Sequence, residues 1–300
     1  MIQRLLLLLL LWHGAAAADT NSTKEIWLQS YEPTTFGFTN DSNDVPFMDF
    51  TISLKYPLFH KLLNRSEYVS WLRPYIAFTG RFGQYVGFRE SSPVIAKRFN
   101  PKLFFRVWKH DSDNYVDLAY AHESNGQRVD DNATYDNMQQ DFVRNGENAD
   151  FAKDYISRGW DFLELRWKHR FSGLEYGKLL GYLNLKYFLD YGLLQGAPEE
   201  YNSFEGPSKI TRRSEVDGIS VLLKYQRTFA GYNSSGYKLA LLYTTGYQMF
   251  KNNTLRAEAT LNMWGFPVMI WGSSGYGSDL VDYNVNVLSG GMALELKSFF

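Results

Sequence analysis

Segments of roughly ten residues in which every second side chain is apolar recur along the chain, and this period of two restricts the fold more than any other feature of the sequence. In "FTISLKY", Phe50, Ile52, Leu54 and Tyr56 alternate with Thr51, Ser53 and Lys55. In "LNLKYFLD", Leu183, Leu185, Tyr187 and Leu189 alternate with Asn184, Lys186, Phe188 and Asp190. "LRAEATLNM" sets Leu255, Ala257, Ala259, Leu261 and Met263 against Arg256, Glu258, Thr260 and Asn262, and "MALELKSFF" sets Met292, Leu294, Leu296 and Phe300 against Glu295 and Lys297. Successive side chains of a strand point to opposite faces, so one face of each strand meets an apolar medium and the other, charged at mid-strand, a polar one. A soluble β-sandwich satisfies this pattern by facing water. A membrane barrel satisfies it in the opposite sense, with the apolar parity outward.

The leader "MIQRLLLLLLLWHGAAAADT" combines an arginine, a leucine run and a small-residue A-x-A site, the parts of a secretory signal peptide ending near Ala18. Residues 1–18 are therefore set aside, and 19–300, which no Pro-, Ser- or charge-rich stretch divides, read as one exported domain. The chain has no cysteine, which excludes a disulfide framework and thiolate chemistry and fits a bacterial envelope. A net charge of −1 without a basic stripe excludes a nucleic-acid partner. Beyond the leader no apolar run reaches the length of a spanning helix, about 18 residues, whereas strands need none. Aromatic residues at 17%, many near strand ends, suit the girdles of an outer-membrane barrel, as does a terminal Phe300 on the apolar parity. A closed barrel also pairs every backbone group inside lipid. The expected fold is all-β, a twelve-stranded antiparallel transmembrane barrel in the bacterial outer membrane.

Eleven strands are placed near 47–57, 73–86, 100–109, 114–124, 158–169, 178–191, 217–228, 235–246, 254–264, 266–276 and 287–300. Bacterial barrels have an even count, so a twelfth precedes residue 47, and "YEPTTFGFT" at 31–39 is the candidate despite its proline. With both termini periplasmic, the short connections 110–113, 170–177, 229–234 and 264–266 fall on the periplasmic side. The long ones at 40–46, 87–99, 125–157, 192–216 and 277–286 fall outside, the usual asymmetry. Only 58–72 is long for its side.

On the strand "YVDLAYAHES" the outward parity carries Val116, Leu118 and Tyr120, and then His122 and Ser124. The next strand, "RGWDFLELRWKH", sends Glu164, Arg166 and Lys168 inward and puts Asp161 on the outward face. Same-face neighbours on one strand lie about 7 Å apart, so a serine, a histidine and an aspartate converge on one rim of the wall that faces lipid. Polar groups there are costly unless used. Serine becomes a nucleophile when an imidazole removes its proton, and the imidazole needs a third group to fix its tautomer. Ser124, His122 and Asp161 fill these roles. A backbone N–H of Asn125 or Gly126, just after the serine, is the expected oxyanion donor.

The "HESNG" at 122–126 resembles the H-x-S-N-G active-site strand of the outer-membrane phospholipase A family, and "SRGWD" at 157–161 is similar to its S-R-x-W-N motif. "SSP" at 91–93 and "GYGSDLVDYN" at 275–284 also look like that family. The resemblance implies calcium-dependent hydrolysis of glycerophospholipid acyl esters by a barrel active as a homodimer. His122 would be the base and Ser124 the nucleophile, while Asp161 stands where the family has asparagine. The resemblance also implies calcium held by Ser157, by the main-chain carbonyl of Gln127, where family members often carry arginine, and by Ser92 of a second subunit. Calcium favours such oxygen donors. The acidic loop 127–156 reads as a solvated outer loop, with divalent-bridged lipopolysaccharide as a further partner. The competing reading is a non-enzymatic porin-like or adhesin-like barrel. Phe104, Trp108 and Phe188 on the inward parity argue against an open channel.

Overall fold

The computed structural model describes residues 28–42, 45–59, 71–87, 95–108, 113–196, 200–206, 208–229, 235–263 and 265–296. The leader, Ser92 and Phe300 lie outside the described residues. The described strands are β1 (Gln29–Ser30), β2 (Thr34–Asp41), β3 (Phe47–Pro57), β4 (Leu72–Tyr85), β5 (Ile95–Trp108), β6 (Tyr115–Ser124) and β7 (Gly159–Phe171). They continue with β8 (Lys178–Phe188), β9 (Ile219–Thr228), β10 (Gly236–Thr245), β11 (Asn253–Met263), β12 (Phe266–Gly275) and β13 (Val287–Leu296). Each pairs antiparallel with its sequence neighbour from β2 onward, and β13 returns to β2, which closes a twelve-stranded barrel. At the seam Gly37 faces Ala293, and a Cβ at residue 37 would lie 2.2 Å from the Met292 carbonyl oxygen, so the ladder closes only on glycine.

The candidate first strand at 31–39 is present as β2, shifted by the proline. β1 pairs with β3 in the register Gln29↔Lys55, whereas β2 pairs as Thr35↔Thr51, so the edge is displaced by two residues around Pro33, which has no N–H to offer. The slack turns Tyr31 inward, 5.3 Å from the Phe104 ring, and Glu32 toward Arg166. β5 begins earlier than its alternation indicates, at Ile95, with a register shift between Arg81 and Phe82.

Side-chain parity follows the expected sense. Ile52, Ile76, Leu118, Leu163, Tyr187, Leu255 and Met292 are exposed on the outer wall. Ser53, Ala77, Asp117, Glu164 and Thr260 are buried inside. Tyr75 stacks on the fully buried Phe104 inside the lumen, with centroids 5.0 Å apart. Ion pairs cross the rest: Arg81–Asp49 at 2.6 Å, Arg106–Asp117 at 2.7 Å, Lys186–Asp217 at 2.7 Å, and the Lys102–Glu164 and Lys238–Glu295 contacts. Asp49, Arg81, Lys186, Asp217 and Glu295 line a cavity of about 490 Å³.

The acidic segment after β6 is not a plain solvated loop. It folds as helix α1 (Asn132–Arg144), which Asp131 caps by accepting from Thr134 N at 2.9 Å, followed by a 3-10 turn over Ala149–Tyr155. Tyr135, Met138 and Phe142 supply one apolar helix face, which packs on Val129, Ala152, Ile156 and Val281, while Asp130, Asp136 and Asp141 stay exposed. A second cluster of Trp160, Ile210, Val216, Leu280 and Tyr283 caps the lumen beneath the long loops.

Replacing Glu164 with leucine leaves the Lys102 ammonium buried without its partner. Unfolding by urea in lipid vesicles should show a loss of about 3–5 kcal/mol, most of it recovered when Lys102→Met is added.

Candidate active site

β6 and β7 pair in the register His122↔Asp161 and Ser124↔Gly159, so the expected trio stands on two adjacent strands at the end of the barrel that carries the long loops. Parity sets the direction: Ala121 and Glu123 are buried inside, and the alternate positions between them open on the outer wall. His122 Nδ1 lies 2.7 Å from Asp161 Oδ1. His122 and Ser124 share one strand face about 7 Å apart at Cα, with no hydrogen bond between them among the described residues. Such contacts often tighten only when substrate enters.

Asp161 is 1% exposed although its strand face is the outer one. Its Oδ2 accepts from the Tyr120 hydroxyl, from Leu194 N at 2.8 Å and from Gln195 N at 3.0 Å, and the Tyr120 oxygen itself accepts from Leu193 N at 2.5 Å. Both carboxylate oxygens are thereby engaged, so the charge on the outer wall is satisfied by protein donors and is not a cation ligand in waiting. Tyr120, two positions before His122 on the same parity, could have been anticipated from the strand pattern. The turn at 192–195 carries no sequence signal for this contact.

The two expected oxyanion donors differ. Asn125 is buried, and its N–H donates to the Arg158 carbonyl at 3.1 Å, so it is not available to a substrate. Gly126 is exposed with φ +65, and its N–H has no hydrogen-bond partner among the described residues. Asn125 works instead as a staple: Nδ2 donates to the Ile156 carbonyl at 2.7 Å, and Oδ1 accepts from Arg158 N at 3.0 Å and from Gln127 N at 3.3 Å.

That staple brings Gln127 and Ser157, two of the three expected calcium ligands, to the same place, because the amides of Gln127 and Arg158 meet on one oxygen. The Val129–Ile156 bridge continues the contact, with Ser157 N donating to the Val129 carbonyl at 2.8 Å. The Gln127 carbonyl and the Ser157 hydroxyl carry no hydrogen bond among the described residues, so two hard oxygen donors suited to calcium remain open beside the trio. Ser92, the third, lies outside the described residues.

No family model matches the chain, and no curated protein matches it either. Among solved structures it is similar to outer membrane phospholipase A from Escherichia coli, at 17% identity and a TM-score of 0.61 over 94% of this chain and 96% of that one. It is also similar to the outer membrane phospholipase of Salmonella typhi, a dimer with bound calcium, at 17% identity and a TM-score of 0.61 over 93% and 96% of the two chains. The fold is that of outer membrane phospholipase A, a bacterial outer-membrane barrel.

The loop that reaches Asp161 continues into a charged segment with its own pH dependence. Burial pushes the Glu200 carboxyl up to about 7, against the Arg213 N–H, 3.3 Å from Oε2, and the charges of Arg212 and Arg158. The fold therefore favours protonated Glu200. Its stabilising contribution is complete below the ordinary carboxylate range and is lost as the pH rises through about 7. Hydrogen-exchange protection of residues 200–217 should be higher at pH 5 than at pH 8, and Glu200→Gln should remove the difference.

Proposed function

We propose that this protein is a calcium-dependent serine phospholipase of the outer membrane that cleaves acyl esters of glycerophospholipids from the lipid-facing side of its own wall. The observation that carries the reading is the 2.7 Å contact between His122 Nδ1 and Asp161 Oδ1, two residues from Ser124 on the same strand face, which the barrel turns toward acyl chains.

The roles follow from that contact. With its Nδ1 proton held by Asp161, neutral His122 presents Nε2 as an acceptor, so it can take the Ser124 proton as Oγ attacks the ester carbonyl. The imidazolium that forms is stabilised by the carboxylate, and it returns the proton to the departing glyceryl or lysolipid oxygen. Water then releases the fatty acid from Ser124 by the same base and acid in reverse order. The Gly126 N–H, two residues beyond the nucleophile, donates to the oxyanion. Gln127 and Ser157 are the residues of this subunit that would hold calcium, which when bound supplies positive charge beside the developing oxyanion. Assembly as a homodimer belongs to the same proposal, through Ser92 of a second copy, and so does the lipid and lipopolysaccharide of the outer leaflet as surroundings. With periplasmic termini, as the loop lengths imply, the trio would stand in that leaflet.

The test is fatty-acid release from phosphatidylcholine by detergent-folded protein. Ser124→Ala should lower the rate by about 10³-fold or more while the barrel keeps its heat-modifiable migration. A variant with undiminished release would remove Ser124 from the mechanism. Chelation of calcium should silence the wild type reversibly without unfolding it. Release that persists under EDTA would remove the metal from the account.

A further inference from the structure

We propose that the turn Gly192–Gln195, together with Tyr120, is a positioning device that selects a carboxylate at residue 161, so that in this chain aspartate and its amide are not interchangeable. The inference rests on His122 acting as the base in the reading above, but its geometric content stands apart from catalysis.

Three donors converge on one oxygen. Asp161 Oδ2 takes the Tyr120 hydroxyl and the amides of Leu194 and Gln195, while Oδ1 is left for His122. A carboxylate suits this because both of its oxygens accept and neither donates. A carboxamide fits in neither orientation. With its oxygen toward His122, the NH₂ group faces the Leu194 and Gln195 N–H groups, donor against donor, and backbone amides cannot rotate away as a hydroxyl can. With its oxygen toward the turn, the NH₂ faces His122 Nδ1 and holds the imidazole in the tautomer protonated on Nε2, which has no lone pair for the Ser124 proton.

The turn is shaped for this contact. Gly192 N donates to the Gln195 carbonyl at 2.8 Å, closing it, and a Cβ on Gly192 would lie 1.9 Å from Asp161 Oδ2. Leu189 N anchors the approach on the Asp161 carbonyl at 2.9 Å. The side chains of Leu193 and Leu194 are 86% and 63% exposed, so the turn uses its backbone on the carboxylate and offers its apolar groups to the surroundings. The same arrangement explains how a charge tolerates this wall: donors cover it before lipid can.

Hydrogen exchange read by mass spectrometry on the folded full chain tests the device without reference to activity. Amides of residues 193–195 should be protected in the wild type and should exchange at least about tenfold faster in Asp161→Asn, as expected for lost hydrogen bonds to a charged group. Gly192→Ala, which expels the turn and lies outside the strands, should do the same if the asparagine variant does not fold. In the fatty-acid assay Asp161→Asn should reduce kcat by about 10³-fold with KM little changed, and Tyr120→Phe by about tenfold. Equal protection in wild type and Asp161→Asn, or a kcat for Asp161→Asn within about threefold of wild type, overturns the proposal. A wild type without fatty-acid release would instead sink the phospholipase reading, and the exchange comparison alone would then decide whether the turn selects a carboxylate.

Discussion

In hydrocarbon an unpaired backbone N–H or C=O has no water to turn to, so a sheet in the membrane must close on itself. That demand organises this molecule. Closure through β2 and β13 fixes the register of every ladder, the register fixes which side chains face in and which face out, and the outward parity at the rim of β6 and β7 brings His122 opposite Asp161. A slip by one residue between the two strands would send one of the two side chains into the lumen and part the pair. The edge around Pro33 shows how the chain absorbs a local misfit without disturbing the closure: the offset is confined to β1, and Tyr31 and Glu32 fill the space it opens.

Charge is handled differently on the two faces. Inside, cations and carboxylates meet directly, as in Arg106–Asp117 and Lys186–Asp217, and each cation also lies over an aromatic ring. On the outer wall Asp161 has no lysine or arginine among its hydrogen-bond partners in the described residues. It is held by a hydroxyl, an imidazole and two backbone amides, which supply partial rather than full positive charge. Such a set occupies both carboxylate oxygens and still leaves the carboxylate free to stabilise an imidazolium. A full countercharge would compete with that role.

The period of two was enough to place the strands and to put His122, Ser124 and Asp161 on one face, because parity in a barrel is a one-dimensional property of the sequence. What it left out depends on contacts between distant segments. Helix α1 looks like a loop in the sequence because its apolar positions, Tyr135, Met138 and Phe142, sit among exposed acids and show only at the 3.6-residue spacing. Position after the serine makes Asn125 and Gly126 equal candidates for the oxyanion donor, yet the Asn125 N–H is engaged by the Arg158 carbonyl across the base of the 125–158 excursion. The turn at 192–195 reaches Asp161 from more than thirty residues away, and nothing in "GLLQ" announces it. The departure from the asparagine of the resembled family was legible, but its structural counterpart was not.

A long-chain alkyl fluorophosphonate, which traps serines activated by a neighbouring base, offers the most direct measurement of the central claim. The account predicts one adduct on the detergent-folded protein, located by peptide mass spectrometry on Ser124 and lost in His122→Ala. A folded barrel that takes no label, or takes it at another serine with Ser124 unmodified, would contradict it.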